Sequence, residues 1–155
     1  MDLETRIAKL EAAEAIKGLK ADYAKVCDTG YKPEGMFPLF TEHAIWVDET
    51  GRFGHHKSRE EICAFFAGVS GAIGFALHYM IAPKITVHDD LVSAEGSWYL
   101  WQPCTIDNVP VWLTGTYFDR YVKEDGVWKF SEVHLTPLTI APFDEGWVKR
   151  PFVGE

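Results

Sequence analysis

The chain is poor in cysteine: only Cys27, Cys63 and Cys104 occur in 155 residues. They are odd in number and widely spaced, and no CxxC pair is present. That excludes a disulfide framework and the usual zinc-finger patterns. Positive charge is also scarce. Lys and Arg total 15 against 23 Asp and Glu, for a net charge of −8. A surface of that sign argues against nucleic acid and gives no support for binding anionic lipid. No apolar run approaches the roughly 18 residues of a membrane span. The charged, amphipathic N-terminus lacks a signal peptide's apolar segment. A cytoplasmic protein that touches neither nucleic acid nor membrane is therefore expected. The histidines show no HxH or HxxxH spacing, so no metal site is expected. A Gly-rich phosphate loop, a GxSxG elbow and a nucleophilic-cysteine signature are missing too, and no cofactor is expected.

What is present is apolar and aromatic: 47% and 14% of the residues, respectively. A chain of this length and composition reads as one domain spanning residues 1–155, able to bury roughly 70% of its unfolded surface. Its centre is the stretch from Val111 to Leu135. Two β-branched and aromatic runs flank Asp125-Gly126, a dipeptide suited to a tight hairpin turn. Trp112, Thr114, Thr116, Phe118 and Arg120 share one face; Leu113, Gly115, Tyr117, Asp119 and Tyr121 share the other. Both faces carry large rings, so the hairpin belongs inside a larger, covered sheet.

Upstream, residues 2–28 show helical periodicity, with one stripe at Leu3, Ile7 and Leu10. Ile16, Leu19, Tyr23, Val26 and Cys27 form another. A break near Ala13–Ala15 is weakly signalled, and Thr29-Gly30 reads as the stop. Ala44–Asp48 and Phe53–His56 read as short strands. Ser58-Arg-Glu-Glu61 is a capping box ahead of a helix that buries Ile62, Phe65, Phe66 and Val69. Then the pattern turns to long strands: Ala76–His88, Leu91–Gln102, Val111–Val122 and Val127–Thr136. Pro83 places the first near an edge or a bulge. The loop Pro103–Pro110 joins the middle pair, and Pro137–Glu155 reads as an ordered tail anchored by Phe143, Trp147 and Phe152. Helices followed by antiparallel strands give an α+β fold: a strongly curved sheet wrapped around the N-terminal helices, enclosing an apolar pocket.

A few residues stand out chemically. Tyr23 lies on the apolar stripe of its helix and is either a satisfied core tyrosine or a hydroxyl donor in the pocket. Asp28 sits at the helix end, where a carboxylate opposes the macrodipole. It is either a solvated terminal residue or a carboxylate held at the pocket. His78 lies in an uncharged run, Phe75 to Ile81, and is either a core histidine or a titratable pocket group. His134 shares strand parity with Trp128 and Phe130, which directs it to the same cavity. Trp46, Phe66, Met80 and Trp98 are candidate apolar walls, and Thr116 joins the substrate-binding set.

The segments ADYAKVCDTG, LFTEHAIWVDETGRF, SREEICAFF, LHYMIAPKITV, SAEGSWYLWQ and GTYFDRYVKEDGVWKFSEV, in this order, resemble the SnoaL-like, nuclear transport factor 2-like superfamily. They span roughly residues 5–138, leaving 139–155 as the tail. The resemblance implies a cone-shaped α+β barrel with a deep apolar pocket. It is nearest to the scytalone dehydratase and bile acid 7α-dehydratase branch, which is similar in carrying a Tyr and an Asp spaced as Tyr23 and Asp28. That branch also has a His where His78 lies. It implies Asp28 as the orienting carboxylate, His78 as acid/base and Tyr23 as donor to an oxyanion or leaving group. In the bile acid enzyme WYL leads into an acidic residue. Here Trp101 and Gln102 follow it, and Gln102 offers a neutral hydrogen-bond donor instead.

The combined reading is a cofactor-independent lyase or isomerase acting on a small, hydrophobic, ring-bearing compound. The alternative is a non-catalytic ligand-binding or accessory subunit, resembling the β subunits of ring-hydroxylating dioxygenases. With Trp98 and Gln102 turned inward, Tyr99 and Trp101 face outward. A row of exposed rings is a sticky patch, so a homodimer through the outer sheet face is expected.

Overall fold

The computed structural model describes residues 1–154; Glu155, the end of the expected tail, lies outside the described residues. Helix α1 (Leu3–Asp28) is continuous, without a break near residues 13–15. Asp2 caps it by accepting a hydrogen bond from the Thr5 amide at 2.7 Å. Only the second apolar stripe is buried: Ile16, Leu19, Tyr23 and Cys27 pack inward, whereas Leu3, Ile7 and Leu10 remain exposed. Gly30 and Tyr31 then turn the chain with φ of 98° and 56°. Glycine adopts that conformation freely; for tyrosine it is strained.

Helix α2 (Pro33–Met36) and a 3₁₀ turn lead into β1 (Phe40–Asp48). Strand β2 (His55–His56) precedes α3 (Arg59–Val69), whose first turn is capped by Ser58 accepting from the Glu61 amide. Next come β3 (Ile73–Ala76), β4 (Tyr79–Val87), β5 (Ser93–Ile106), β6 (Val109–Glu124) and β7 (Val127–Pro142), followed by the short helix α4 (Gly146–Lys149). The strands form one 7-stranded sheet of order β2-β1-β7-β6-β5-β3, with β4 also paired to β5. Pairing is antiparallel except between β1 and β7, which run parallel. The result is an α+β half-barrel. Its strongly curled sheet holds α1 against β4 and β7, and α3 against β1.

Several boundaries differ from the sequence reading: β1 begins at Phe40 rather than Ala44, and β2 keeps only His55–His56 of the expected Phe53–His56. The expected strand Ala76–His88 is two strands, because Leu77 and His78 leave the ladder. The Leu77 amide still donates to Pro103 O, but the His78 amide donates to a carboxylate of α1. The expected loop Pro103–Pro110 is mostly strand. A two-residue turn at Asp107-Asn108, with φ of 49° and 65°, closes the β5–β6 hairpin. Strand β7 runs past Thr136 to Pro142, since Pro137 sits at a register shift where its missing N–H breaks no ladder bond. At the Asp125-Gly126 turn both residues have positive φ, as the dipeptide indicated. Pro83 lies in the β4 irregularity between Ile81 and Lys84.

The outer sheet face carries an aromatic row, and the tail lies on part of it. Trp101 and Trp112 pack with ring centroids 5.2 Å apart. Trp147 meets Trp101 edge-on, and Phe143 packs on Trp112. Further on, Phe152 pairs with Ile140, and the Arg52 guanidinium lies 4.4 Å from the Phe152 ring. Tyr79, Ile81, Tyr99 and Phe118 stay exposed.

Curvature is set where β6 meets β7. A Cβ at Gly115 would stand 2.9 Å from the Thr136 carbonyl oxygen, inside contact distance, and the register shifts at that point. Gly115→Ala should cost about 1–3 kcal/mol by forcing the two strands apart. Urea denaturation of the variant measures this.

Candidate active site

Asp28 is the last residue of α1, and its carboxylate crosses to the gap between β3 and β4. One oxygen, Oδ1, accepts the His78 backbone amide at 2.9 Å and lies 2.6 Å from His78 Nδ1. Because a carboxylate only accepts at neutral pH, Nδ1 carries the proton of that bond. Nε2 makes no hydrogen bond to a described residue. The helix end therefore fixes both the backbone and the ring of the histidine.

The His78 ring borders a small cavity of about 50 Å³. Tyr23, Tyr31, Tyr117 and Gln102 bring polar groups to it, while Trp46, Phe66, Phe65 and Phe53 form apolar walls. Trp46 Nε1 donates to Tyr23 Oη at 3.1 Å, which leaves the Tyr23 proton to be donated. Burial pushes the Tyr23, Tyr31 and Tyr117 hydroxyls well above the ordinary phenol range. They are neutral donors at neutral pH, not bases. Phe53 is placed by Asp48, whose carboxylate accepts the Thr50 amide at 2.8 Å and the Phe53 amide at 2.9 Å. On the far side of the dyad, an open groove between α1 and β4 is lined by Ala24, Lys25, Asp28 and Met80. His78 borders both the cavity and the groove.

Of the residues expected at the site, Tyr23, Trp46, Phe66, His78 and Gln102 border the cavity, and Asp28 stands behind His78. Four do not reach it. Met80 lines the outer groove, because the β4 edge faces α1 there. Trp98 points inward but bonds Tyr121 Oη at 3.0 Å, away from the cavity lining. Thr116 pairs with the exposed Tyr99, so it belongs to the outer face; its neighbour Tyr117, opposite the buried Trp98, faces in. His134 is turned outward by a bulge. Arg120 pairs with Glu132 and Tyr121 with Phe130, so Ser131 is skipped and parity inverts beyond it. Val133 and Leu135 are buried instead, and His134 is clamped outside between Glu49 Oε1 at 2.6 Å and Glu132 Oε2 at 3.1 Å.

The residues missed were Tyr117, Tyr31, Phe53 and Phe65. Tyr117 was available, since it shares a face with Leu113 and Asp119 opposite the strand of Trp98. Tyr31 follows the helix stop, and its inward direction depends on a left-handed backbone that sequence does not announce. Among the described residues no group of His, Cys, Asp and Glu is arranged to hold a metal ion, and no helix is long and apolar enough to cross a membrane.

A curled α+β half-barrel with a histidine pinned by a helix-terminal carboxylate, beside a small apolar cavity, defines a class of pocket proteins. The SnoaL-like domain model matches residues 8–134, and the chain belongs to that family. No curated protein matches the chain significantly. Solved structures similar in fold include that of LinA, at TM-score 0.81 and 19% identity over 90% of this chain and 94% of that one. Another is a candidate scytalone dehydratase from Novosphingobium aromaticivorans, at 0.78 and 20% identity over 99% of each chain. A third is a nuclear transport factor 2-like protein with a cystatin-like fold from the same organism, at 0.71 and 16% identity over 95% of this chain and 92% of that one. At these identities the likeness is one of fold.

Two predictions follow from the geometry. Nitrogen-15 NMR of labelled protein should show His78 with its proton on Nδ1. Asp28→Asn should weaken that preference and broaden the His78 amide, because one carboxylate oxygen holds both groups. The second concerns His134, whose ring stays protonated above the ordinary imidazole range. Burial opposes this, and the Glu49 and Glu132 carboxylates outweigh it. The clamp stabilises the fold fully below the unfolded value of 6.5 and is lost as pH rises through the raised folded value. Thermal melts between about pH 6 and about pH 9 should show a small fall in stability with rising pH, small because the ring is partly solvated. His134→Gln should remove that part of the fall.

Proposed function

We propose that the protein is a cofactor-independent lyase or isomerase, dehydratase-like in its chemistry, acting on a small hydrophobic ring compound in the cavity. The observation that carries this reading is the Asp28–His78 pair, with Nδ1 bound and Nε2 left free beside the cavity. An imidazole so oriented is a general base for a C–H proton. Asp28 holds the tautomer and stabilises the imidazolium that forms. The Tyr23 and Tyr117 hydroxyls, with Gln102, supply neutral donors to a developing oxyanion or a leaving hydroxyl. In an elimination, the C–H electron pair becomes the new C=C bond. The proton goes to Nε2, and the leaving group departs as water after taking a proton from a tyrosine, or as a halide ion. Among the described residues no Lys or Arg borders the cavity, which suits a neutral substrate.

Family membership and fold support a lyase-type scaffold. Solved structures of similar fold include a hexachlorocyclohexane dehydrochlorinase from Novosphingobium barchaimii and the candidate scytalone dehydratase. A second reading, a non-catalytic ligand-binding or accessory subunit, is favoured by the cavity's size. About 50 Å³ is far below the roughly 300 Å³ or more usual for a ligand site. Catalysis on a ring compound therefore requires Phe53, Phe65 or Tyr31 to move aside.

The test is a panel of cyclic alcohols and halides bearing an acidic C–H, assayed for release of water or halide. With a responsive compound, His78→Gln and Asp28→Asn should each lower turnover on the order of a hundredfold or more. Tyr23→Phe should lower it less, since Tyr117 remains. Tight binding of ring compounds with no turnover, unchanged in His78→Gln, would establish the binding reading instead.

A further inference from the structure

Lys20 lies one helical turn before Tyr23 on the buried stripe of α1, and its side chain is fully buried. Its partner is Asp119 on β6, also fully buried, with Nζ donating to Oδ2 at 2.8 Å. Tyr121 Oη donates to the same oxygen at 2.8 Å, and Trp98 Nε1 donates to Tyr121 Oη at 3.0 Å. Asp119 Oδ1 has no hydrogen-bond partner among the described residues. Packing does not require this arrangement. Apolar residues of the same volume commonly stabilise a core as well as a buried ion pair does.

What the ion pair has and an apolar pair lacks is direction. The ammonium stands 3.6 Å from the centroid of the Tyr117 ring and 5.1 Å from that of Tyr23. Both of those tyrosines border the cavity. The carboxylate end touches Tyr121, which Trp98 bonds in turn, and neither of those residues lines it. The positive end therefore faces the cavity through the two phenols. The Tyr23 and Tyr117 hydroxyls also interact with one another. A cation on the face of a phenol ring draws electron density from it, and does so most where water is excluded.

We infer that Lys20, held by Asp119, is a positioning residue: an oriented buried charge that makes the Tyr117 and Tyr23 hydroxyls stronger hydrogen-bond donors to negative charge in the cavity. The identity of that charge, an oxyanion of the reacting ring compound, rests on the lyase reading; the effect on Tyr117 does not. The charged or titratable groups facing Tyr117 are Lys20, Tyr23 and Cys27 from α1, Tyr31 from the segment after it, and Asp119 on its own strand. Burial raises the Tyr117 hydroxyl most, with Cys27 and Asp119 adding to the rise. The hydrogen bond from Tyr23 lowers it, and the Lys20 ammonium stands on the face of its ring.

The experiment places a trifluorotyrosine at position 117 of the full chain and follows its ionisation by fluorine-19 NMR across pH. It compares the native background with Lys20→Met/Asp119→Asn, which removes both charges and keeps an acceptor for Tyr121. The apparent pKa of the probe should rise by about one unit or more in the double variant, a tenfold weaker acid. A probe that titrates within a few tenths of a unit in both backgrounds overturns the proposal. If the double variant does not fold, nitrogen-15 NMR of Lys20 Nζ in the unsubstituted protein decides. An ammonium signal shifted by the Tyr117 ring supports the proposal, and a neutral amine overturns it. No substrate enters these readouts. An absence of lyase activity would leave the Lys20 result standing, and an unchanged probe would leave the lyase reading intact.

Discussion

One carboxylate oxygen ties the two halves of this molecule together. Asp28 Oδ1 takes the backbone amide and the ring nitrogen of the same residue, His78. Its position at the end of α1 would ordinarily be unfavourable, because a carboxylate there meets the negative end of the helix macrodipole. The two donors from His78 compensate for that. They also account for the interruption between β3 and β4: the amide that would extend the ladder is turned to the helix instead. A small cavity on one side and an open groove on the other leave the histidine with one nitrogen fixed and one beside the cavity.

The sheet brings the rest of the cavity to that nitrogen. Curling β5, β6 and β7 around α1 makes their alternate residues converge, so Gln102, Leu113, Tyr117 and Leu135 meet residues from α1, β1 and α3. The wall is almost wholly aromatic and aliphatic. Besides His78, its polar members are neutral hydroxyls and an amide, whose hydrogen bonds count for more among apolar walls. Formal charges stand behind it: Asp28 beyond His78, and the Lys20–Asp119 pair beyond Tyr117.

Much of this was legible in the chain. The capping box at Ser58, the Asp125-Gly126 turn and the stripe through Ile16, Leu19 and Tyr23 each have a local cause, and each was read correctly. Asp28 and His78, which carry the resemblance to the dehydratase branch, stand within hydrogen-bond reach of one another. What escaped depends on register, which is not a local property. Ser131 adds one unpaired residue to β7, and that alone moves His134 from the cavity to a surface clamp. Thr116 and Tyr117 are neighbours, and choosing between them needed the β5–β6 pairing. Lys20 was invisible for a different reason. A lysine on an apolar stripe reads as a residue whose charged end escapes to water, and only the facing Asp119 keeps it inside.

The central claim is that His78 moves a proton at carbon inside this cavity. It is tested most directly by hydrogen–deuterium exchange into the α-carbon of a small cyclic ketone, such as cyclohexanone, in deuterated water. The protein should accelerate exchange, and His78→Gln should abolish the acceleration while the variant stays folded. Exchange no faster than with buffer, or equally fast in His78→Gln, would contradict it.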